Sequence, residues 1–417
     1  MIRSIFLGCF LVLCTSSKLA AQAPYYLLYD EHQSAYANGE NLLSLHRMMA
    51  TVEDSLLQQT YFNERVNLGK SLGVIYRLFK VTLLDAQLDV LFFLTQHEVF
   101  GHGYRFRQAG LTDNSYRISP AFPYGDGSGF ARFGRNEGNR SISLPEETLM
   151  RMGGMEATTI MSQQLKDKWL INRQIYYRES LLYNLLFLDV SSYIFRSGET
   201  NLIEEPGNDV LQYLVFTNQA YGNSSLGLEV LRLNDLEDRA WVNLLNSYHL
   251  MAWYAFLKSY LWDGDTHFDL ITIPIGKVEW IPAVRFGLTP FGSAIIVEND
   301  VLAGQNIWSV GASIGDGILA DYWGVSTSWR KQFNDNLALT GQVAIWQQPA
   351  IELGGDFITV AEEGLGGRVL AKLDFFFRKG LDVGGHLQVG VKTAGYFEGE
   401  ALEEGLILRG GVSIRSR

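Results

Sequence analysis

The strongest limit on the fold comes from an alternation of apolar and polar side chains in residues 264–417. Between Trp308 and Ile314, for example, every second residue is apolar, and the residues between them are serine or glycine. A period of two places alternate side chains on opposite faces of a β-strand. The pattern recurs in about eight or nine segments, many of them around ten residues long, and therefore predicts an antiparallel sheet.

The chemistry of the two strand faces favours a membrane barrel. One face carries charged and polar residues such as His386 and Lys392, whereas the other carries apolar residues such as Leu387 and Val389. Outer-membrane barrels have apolar side chains towards lipid and polar side chains towards the lumen, so we expect a closed barrel of about 8–10 strands. A soluble barrel or sandwich with an apolar core is the alternative. It gains some support because residues 414–417 lack the aromatic end that is usual in outer-membrane barrels.

Residues 24–263 have a different, helical periodicity. Helices are predicted at roughly 40–60, 70–106, 146–169, 173–196, 208–221 and 236–262. Single polar residues, including Asp85, Asp89 and His249, interrupt the apolar runs. We therefore expect buried helices of a compact domain, with a membrane-embedded arrangement as the alternative. The predicted fold class is α+β and multidomain: an all-α helical domain at 24–263, followed by an antiparallel β-barrel at 264–417.

Residues 1–23 have the composition of a secretory signal peptide. An apolar run follows Arg3, and small residues end the segment at Ala23. Both cysteines of the chain, Cys9 and Cys14, lie within it, so the mature protein is expected to contain no disulfide. Together with the strand pattern, this segment predicts an exported protein of the outer membrane of a Gram-negative bacterium, with the helical domain in the periplasm.

The residues that most clearly suggest chemistry are His97, Glu98 and His102, which lie in the sequence HEVFGH within an apolar predicted helix. Two imidazoles can bind a metal ion, and an adjacent glutamate can accept a proton from water. Histidines five residues apart point in different directions on a regular α-helix. A single π-bulge would restore their alignment, and Gly101 would ease the distortion.

The motif resembles the HExxGH signature of dipeptidyl peptidase III, a gluzincin-type zinc peptidase, although the likeness covers only residues 97–156. The resemblance implies a zincin-like helical domain that binds Zn²⁺ through His97, His102 and a later glutamate. Glu156, 54 residues after His102, is at the matching distance, and Gly153 and Gly154 would let its helix approach the first. The resemblance also implies that Glu98 is the general base.

Several further residues are candidates for supporting roles. An acid must orient a ligand histidine, and Asp89 and Asp189 are the candidates, each of which could equally be a structural acid. His249 is the first candidate for stabilising an oxyanion, with a satisfied core histidine as the alternative, and Tyr176 and Tyr177 are weaker candidates. The remaining candidates concern substrate binding. Arg105 could bind a substrate carboxylate or form a structural ion pair. Phe130 and Arg132 could lie on an edge strand that pairs with the substrate backbone or in a surface loop.

These features predict an exported zinc metallopeptidase anchored by its barrel. The expected partners are a peptide or protein substrate and outer-membrane lipid, and the oligomeric state is left open. A net charge of −11 argues against nucleic-acid binding. The alternatives are a non-enzymatic outer-membrane protein, in which a helical periplasmic module has a structural metal site or none, and a transporter, which so small a barrel disfavours.

Overall fold

The computed structural model describes residues 23–59, 69–136, 142–198, 207–221, 231–318, 321–349, 363–377 and 382–415. Within these residues the chain is an α+β protein in which a group of helices packs against a large antiparallel sheet. Of the predicted signal peptide, residues 1–23, all but Ala23 lie outside the described residues.

The helices occupy the predicted regions. They are α1 (Ala35–Gln59), α2 (Gly69–Lys80), α3 (Ala86–Leu94), α4 (Gly103–Gln108), α5 (Leu144–Asn172), α6 (Tyr177–Phe187), α7 (Asp189–Ser197), α8 (Asp209–Tyr221), α9 (Leu233–Ala240) and α10 (Ser247–Tyr254). Three π-helical segments, Val81–Asp85, Thr95–His102 and Ala255–Asp263, and a 3₁₀ segment, Trp241–Leu245, extend or join them. None of the helices in the described part of the chain is long and apolar enough to span a membrane.

Ten strands form one sheet: β1 (Tyr25–Tyr29), β8 (Ile273–Ile275), β9 (Val278–Thr289), β10 (Gly292–Ala303), β11 (Asn306–Gly317), β12 (Tyr322–Asn334), β13 (Leu337–Pro349), β14 (Glu363–Phe376), β15 (Asp382–Lys392) and β16 (Gly405–Arg415). Their order is β1-β16-β15-β14-β13-β12-β11-β10-β9-β8, with every pair antiparallel. The described strands at the two ends of this order do not pair with each other, so the sheet is open. The strand content and direction were predicted correctly, but the predicted closure into a barrel is not observed.

Three pairs of short strands lie among the helices. They are β2 (Leu111–Thr112) with β5 (Arg135–Asn136), β3 (Ser115–Ile118) with β4 (Gly129–Arg132), and β6 (Gln174–Tyr176) with β7 (His267–Asp269). Strand β1, which joins the large sheet, falls in the region predicted as an all-α domain, whereas β4 contains the edge strand that the sequence offered for Phe130 and Arg132.

Helix α5 is the central element, since it contacts both the other helices and the sheet. Ser143 caps its first turn, where the Glu146 carboxylate accepts hydrogen bonds from the Ser143 N–H and hydroxyl, both at 2.9 Å. Trp169 on α5 is fully buried and packs against Tyr183 of α6. Lys166 on its other side reaches Glu298 of β10 at 2.8 Å. The helices thus cover the face of the sheet that carries its charged residues.

Much of the sheet has polar side chains on its covered face and apolar side chains on its uncovered face, although β9 and β10 also bury apolar residues such as Ile281 and Leu302 against the helices. On the helix-covered face, Asp374 and Gln388 are fully buried. On the opposite face, Ile314 is 72% exposed, Leu406 is 68% exposed and Val389 is 42% exposed. This is the reverse of a water-soluble sheet, whose covered face is normally apolar. The alternation predicted from the sequence is therefore present, with the apolar face uncovered.

Candidate metal centre

The two motif histidines are brought together by the π-helical segment Thr95–His102. In a π-helix each backbone N–H bonds to the carbonyl oxygen five residues earlier, so residues 97 and 102 lie on the same face. The two imidazole rings are 5.0 Å apart between centroids. The π-bulge predicted from the five-residue spacing is therefore confirmed, and the distortion extends over the whole motif.

Glycines allow α5 to pack directly onto this segment. A Cβ atom on Gly101 would lie 2.6 Å from the carbonyl oxygen of Gly153, and one on Gly154 would lie 2.3 Å from Nε2 of His97. No side chain fits at such distances, so the two backbones approach one another only because these residues are glycines. The close approach predicted for Gly153 and Gly154 is confirmed.

Each histidine donates its Nδ1 proton to a fixed acceptor. Nδ1 of His97 lies 2.8 Å from Oδ2 of Asp189, which also accepts a hydrogen bond from Thr158 at 2.8 Å. Nδ1 of His102 lies 2.6 Å from the carbonyl oxygen of Met150 on α5. Such partners fix the ring orientation and the tautomer of metal-binding histidines. They leave both Nε2 atoms available as ligands.

Both Nε2 atoms point at Asp209, the first residue of α8. Its Oδ2 lies 3.1 Å from His102 and 3.5 Å from His97, and the three potential ligand atoms are all within 4.8 Å of one another. Asn208 positions this carboxylate, because its side chain accepts a hydrogen bond from Leu211 N and so begins the helix. Two imidazoles and a carboxylate form a donor set that suits zinc, although other divalent metals share it.

The electrostatics of the three residues fit a cation site. Burial alone would raise the pKa of Asp209, but the nearby imidazoles of His102 and His97 outweigh it and lower the pKa. For His102 the directions are reversed: burial would lower the pKa, and the Asp209 carboxylate raises it. The partly buried carboxylate is thus held in its negatively charged form beside the two imidazoles, where a metal ion could supply the compensating positive charge.

Glu98 lies beside this group with a free carboxylate. It is buried, none of the described residues donates a hydrogen bond to it, and burial raises its pKa. Strand β4 lies against it, since a Cβ on Gly129 would be 2.7 Å from Oε1. A buried acid with a raised pKa next to a metal site is suited to accept and return protons.

The structure does not bring Glu156, the third ligand implied by the motif resemblance, to the two histidines. Its carboxylate receives two hydrogen bonds from Nη2 of Arg105, at 2.5 and 2.6 Å, and one from Gly399 N at 2.8 Å. The sequence distance was suitable, but the carboxylate is bonded to Arg105 and to the β15–β16 connection instead. Arg105 is fully buried and its guanidinium is bonded to Glu156. This arrangement matches the structural ion pair that was the alternative to a substrate contact.

Other candidates also lie outside the group of ligands. Nδ1 of His249 bonds to Asn184 at 2.9 Å, and its ring packs against Phe187 and Trp253, so the structure does not bring it to the metal centre. Asp89 bonds to His46 at 2.9 Å instead of orienting a ligand.

The two tyrosine candidates occupy a separate aromatic cluster. Tyr176 and Tyr177 pack against each other, and Tyr177 stacks on Tyr260.

Phe130 and Arg132 lie where the sequence suggested, on a short strand next to the centre. Both are on β4, exposed, with the Arg132 guanidinium 4.9 Å from the centre of the Phe130 ring. Among the described strands β4 pairs only with β3, so its second edge is not paired in a sheet.

Sequence reasoning missed two residues of the centre. Asp209 is 107 residues from His102, and no motif relates them, although an acid at the start of a predicted helix is a weak signal. Tyr193 stacks on His97 with ring centroids 6.1 Å apart, and its phenol interacts with the backbone of Asp209. Burial raises the pKa of Tyr193, which keeps its proton available for donation.

Comparisons with protein-family models, with curated proteins and with solved structures find no match for this chain.

Proposed function

We propose that this protein is a zinc-dependent hydrolase that cleaves peptide bonds. The observation that carries the proposal is the arrangement of His97, His102 and Asp209, with both Nδ1 atoms bonded elsewhere and Glu98 alongside. Three protein ligands leave a fourth position open, as in catalytic rather than structural zinc sites. When bound, the ion supplies the Lewis acidity that lowers the pKa of water and polarises a carbonyl group.

The protein's own residues have distinct roles in this proposal. Glu98 accepts a proton from the attacking water at its carboxylate and delivers it to the leaving amine. Asp189 and the Met150 carbonyl hold the two imidazoles in position. Tyr193 takes the role that the sequence suggested for His249, donating a hydrogen bond to the oxygen on which charge develops.

The unpaired edge of β4 favours a peptide as the substrate. An extended peptide can add to a free strand edge through main-chain hydrogen bonds. Gly129 places that strand in contact with Glu98, and Phe130 and Arg132 provide side chains next to it. A peptide aligned along β4 would therefore run past the proposed general base.

We also propose that the outer face of the sheet lies in the outer membrane. The strands from β9 to β16 are 11 to 14 residues long, and about 9–11 residues suffice to cross a bilayer. Their uncovered face is apolar and their covered face polar, as lipid requires.

The lengths of the strand connections favour one side of the membrane for the centre. The two-residue turns Gly304-Gln305 and Asp335-Asn336 lie at the same sheet end as the start of β1 and the end of β16. At the other end the β9–β10 turn is equally short, but the β15–β16 connection spans residues 393–404. The metal centre lies towards the other end, where the β15–β16 connection contacts Glu156 and Arg105. Because short turns are periplasmic in outer-membrane barrels, we place the centre on the outer side rather than in the expected periplasm.

Metal analysis and one substitution test the enzymatic proposal. Purified protein should contain one zinc ion per chain. Glu98→Gln should keep that ion and lower hydrolysis of a mixed-sequence fluorogenic peptide library by about 10²–10⁴-fold. Glu147→Gln, which changes a surface pair with Arg151, is the matched control and should be fully active. Protein without stoichiometric metal would refute the metal centre, and full activity of Glu98→Gln would refute the general base.

A further inference from the structure

The two outer edges of the open sheet are not left unpaired, because polar side chains from helices bond to them. On β1, the Asn41 side chain of α1 accepts from Leu28 N at 2.6 Å and donates to Leu28 O at 3.0 Å. Ser44 donates to Tyr26 O at 2.6 Å. Helix α1 therefore supplies the hydrogen bonds that a neighbouring strand would supply.

The opposite edge is closed in the same way. Beyond the short pairing with β8, β9 faces the 3₁₀ segment Trp241–Leu245 and the start of α10. Here Asn243 accepts from Phe286 N at 2.7 Å, Asn246 donates to Val284 O at 2.8 Å, and Ser247 donates to Pro282 O at 2.5 Å. Side chains of the helical part thus satisfy backbone groups at both edges of the sheet.

Two helical stretches have almost entirely apolar exposed side chains. From Leu72 to Leu84, along α2 and the π-helical segment that follows, the only exposed polar residue is Thr82. Its hydroxyl bonds to the helix's own Leu78 carbonyl at 2.9 Å. The exposed residues there are Leu72, Ile75, Leu78, Phe79, Thr82, Leu83 and Leu84.

A second helical stretch shows the same surface. From Trp241 to Leu257 every exposed residue is apolar: Trp241, Leu245, Leu250, Tyr254 and Leu257. The apolar run is bounded by exposed Asp238 before it and exposed Lys258 after it. The two stretches are joined, since Arg77 of α2 donates to the Leu261 carbonyl at 3.0 Å. We call residues 69–85 and 241–263 the helical wall.

We infer that the helical wall replaces the missing barrel strands and is in direct contact with lipid acyl chains. This inference rests on the proposed membrane location of the sheet and extends it to the helices. Within hydrocarbon, every backbone polar group must be bonded inside the protein, and an open sheet edge is excluded. The Asn and Ser contacts bond backbone groups of β1 and β9 in this way.

The distribution of the apolar surface favours lipid over a protein partner. A partner would cover one bounded patch, whereas the apolar surface passes from the sheet through Ile273 and Ile275 of edge strand β8 to the helical wall. Within the first stretch, Lys80 and Asp85 are turned inwards: they bond to each other at 2.9 Å, and Arg178 of α6 reaches the same carboxylate at 2.7 Å. The exposed charged residues of the second stretch, Lys258 and Asp263, pair with each other near its end.

Depth-dependent fluorescence quenching tests the inference. Single cysteines replace Ile75 and Leu257 in the helical wall, Val389 on the outer sheet face and Gln305 in an exposed turn, with Cys9 and Cys14 changed to serine. Each variant carries an environment-sensitive fluorophore in phosphatidylcholine vesicles, with or without nitroxide-labelled acyl chains. Circular dichroism identifies folded variants, and Leu78→Cys and Leu250→Cys serve as second probes of the wall.

We expect strong quenching at Ile75 and Leu257, comparable to that at Val389, and little quenching at Gln305. Quenching at Val389 without quenching in the wall would overturn the inference. A partner protein or a second copy of the chain that covers the wall would produce this result. The proposed membrane location of the sheet would still stand. Absence of quenching at all three apolar positions would overturn both. Neither result bears on hydrolysis by the metal centre, which the Glu98→Gln variant tests separately.

Discussion

Asp189 lies 2.8 Å from Nδ1 of His97 and so turns the opposite ring nitrogen, Nε2, towards Asp209. A second buried pair has the same chemistry, because Asp89 lies 2.9 Å from Nε2 of His46. The sequence offered Asp89 and Asp189 equally as partners of a ligand histidine. The structure separates them: Asp189 bonds to a histidine of the candidate metal centre, whereas Asp89 links α3 to His46 of α1.

The two aspartates provide a matched pair of substitutions. We expect Asp189→Asn to weaken zinc binding by about 10–100-fold, because a neutral amide orients and polarises the imidazole less well than a carboxylate. Asp89→Asn should leave zinc affinity unchanged, even if it lowers the free energy of unfolding. Competition with a fluorescent zinc chelator measures both affinities, and equal losses in the two variants would contradict the assigned role of Asp189.

A methyl group at residue 154 should disrupt the centre without altering any ligand. In Gly154→Ala, the new Cβ would lie 2.3 Å from Nε2 of His97, so the ring or helix α5 has to move. We expect zinc affinity to fall on the order of tenfold or more and stability to fall by about 1–3 kcal/mol.

The control for this change is Gly207→Ala, whose Cβ would meet no atom within 4 Å. Zinc titration and urea unfolding of the two variants make the comparison. If Gly154→Ala binds zinc like the unmodified chain, the packing of α5 on the π-helical segment is not as tight as the structure indicates.

The parts of the fold that the sequence predicted well are those set by local periodicity. The π-helical segment follows from the spacing of His97 and His102, and the polar and apolar sheet faces follow from the period of two. The open sheet could not be foreseen, because its edges are closed by single residues such as Asn41 and Asn246 within helices. Nothing in their local pattern distinguishes them from ordinary buried amides.

The prediction of Glu156 as the third ligand shows that a sequence motif does not determine side-chain geometry. A sequence distance determines which helix carries Glu156 but not where its carboxylate points, and Arg105 captures it. Asp209 comes from a helix far along the chain, so only the tertiary packing of α8 reveals it.

Substitution of Tyr193 tests the proposed hydrogen bond to developing charge. Tyr193→Phe keeps the ring that stacks on His97 and removes only the hydroxyl. We expect full zinc occupancy and a fall in kcat of about 10²–10³-fold, as for loss of one oxyanion donor. Tyr183→Phe is the control, because the buried Tyr183 hydroxyl has no hydrogen-bond partner among the described residues. Steady-state peptide hydrolysis measures kcat of both variants. Equal kcat values would contradict the role of Tyr193 as a hydrogen-bond donor.

A charge on the outer sheet face distinguishes lipid from water as its surroundings. Val389→Arg places a guanidinium at a position that is 42% exposed, where a soluble protein would tolerate it. In phosphatidylcholine vesicles we expect a loss of about 2–4 kcal/mol in the free energy of unfolding, because the charge must enter hydrocarbon. Gln305→Arg, in an exposed turn, should change little in the same urea titration. Equal stability of the two variants would contradict the membrane location of the sheet.

Labelling of intact cells determines on which side of the membrane the metal centre opens. Glu403 is exposed in the β15–β16 connection, at the sheet end nearer the centre, whereas Gln305 is in a short turn at the other end. If short turns face the periplasm, a membrane-impermeant maleimide should label Glu403→Cys on whole cells and Gln305→Cys only after the outer membrane is broken. The reverse pattern would place the centre in the periplasm, and its substrates would then be periplasmic peptides. The expected pattern would mean that the proposed substrates are peptides that reach the cell from outside.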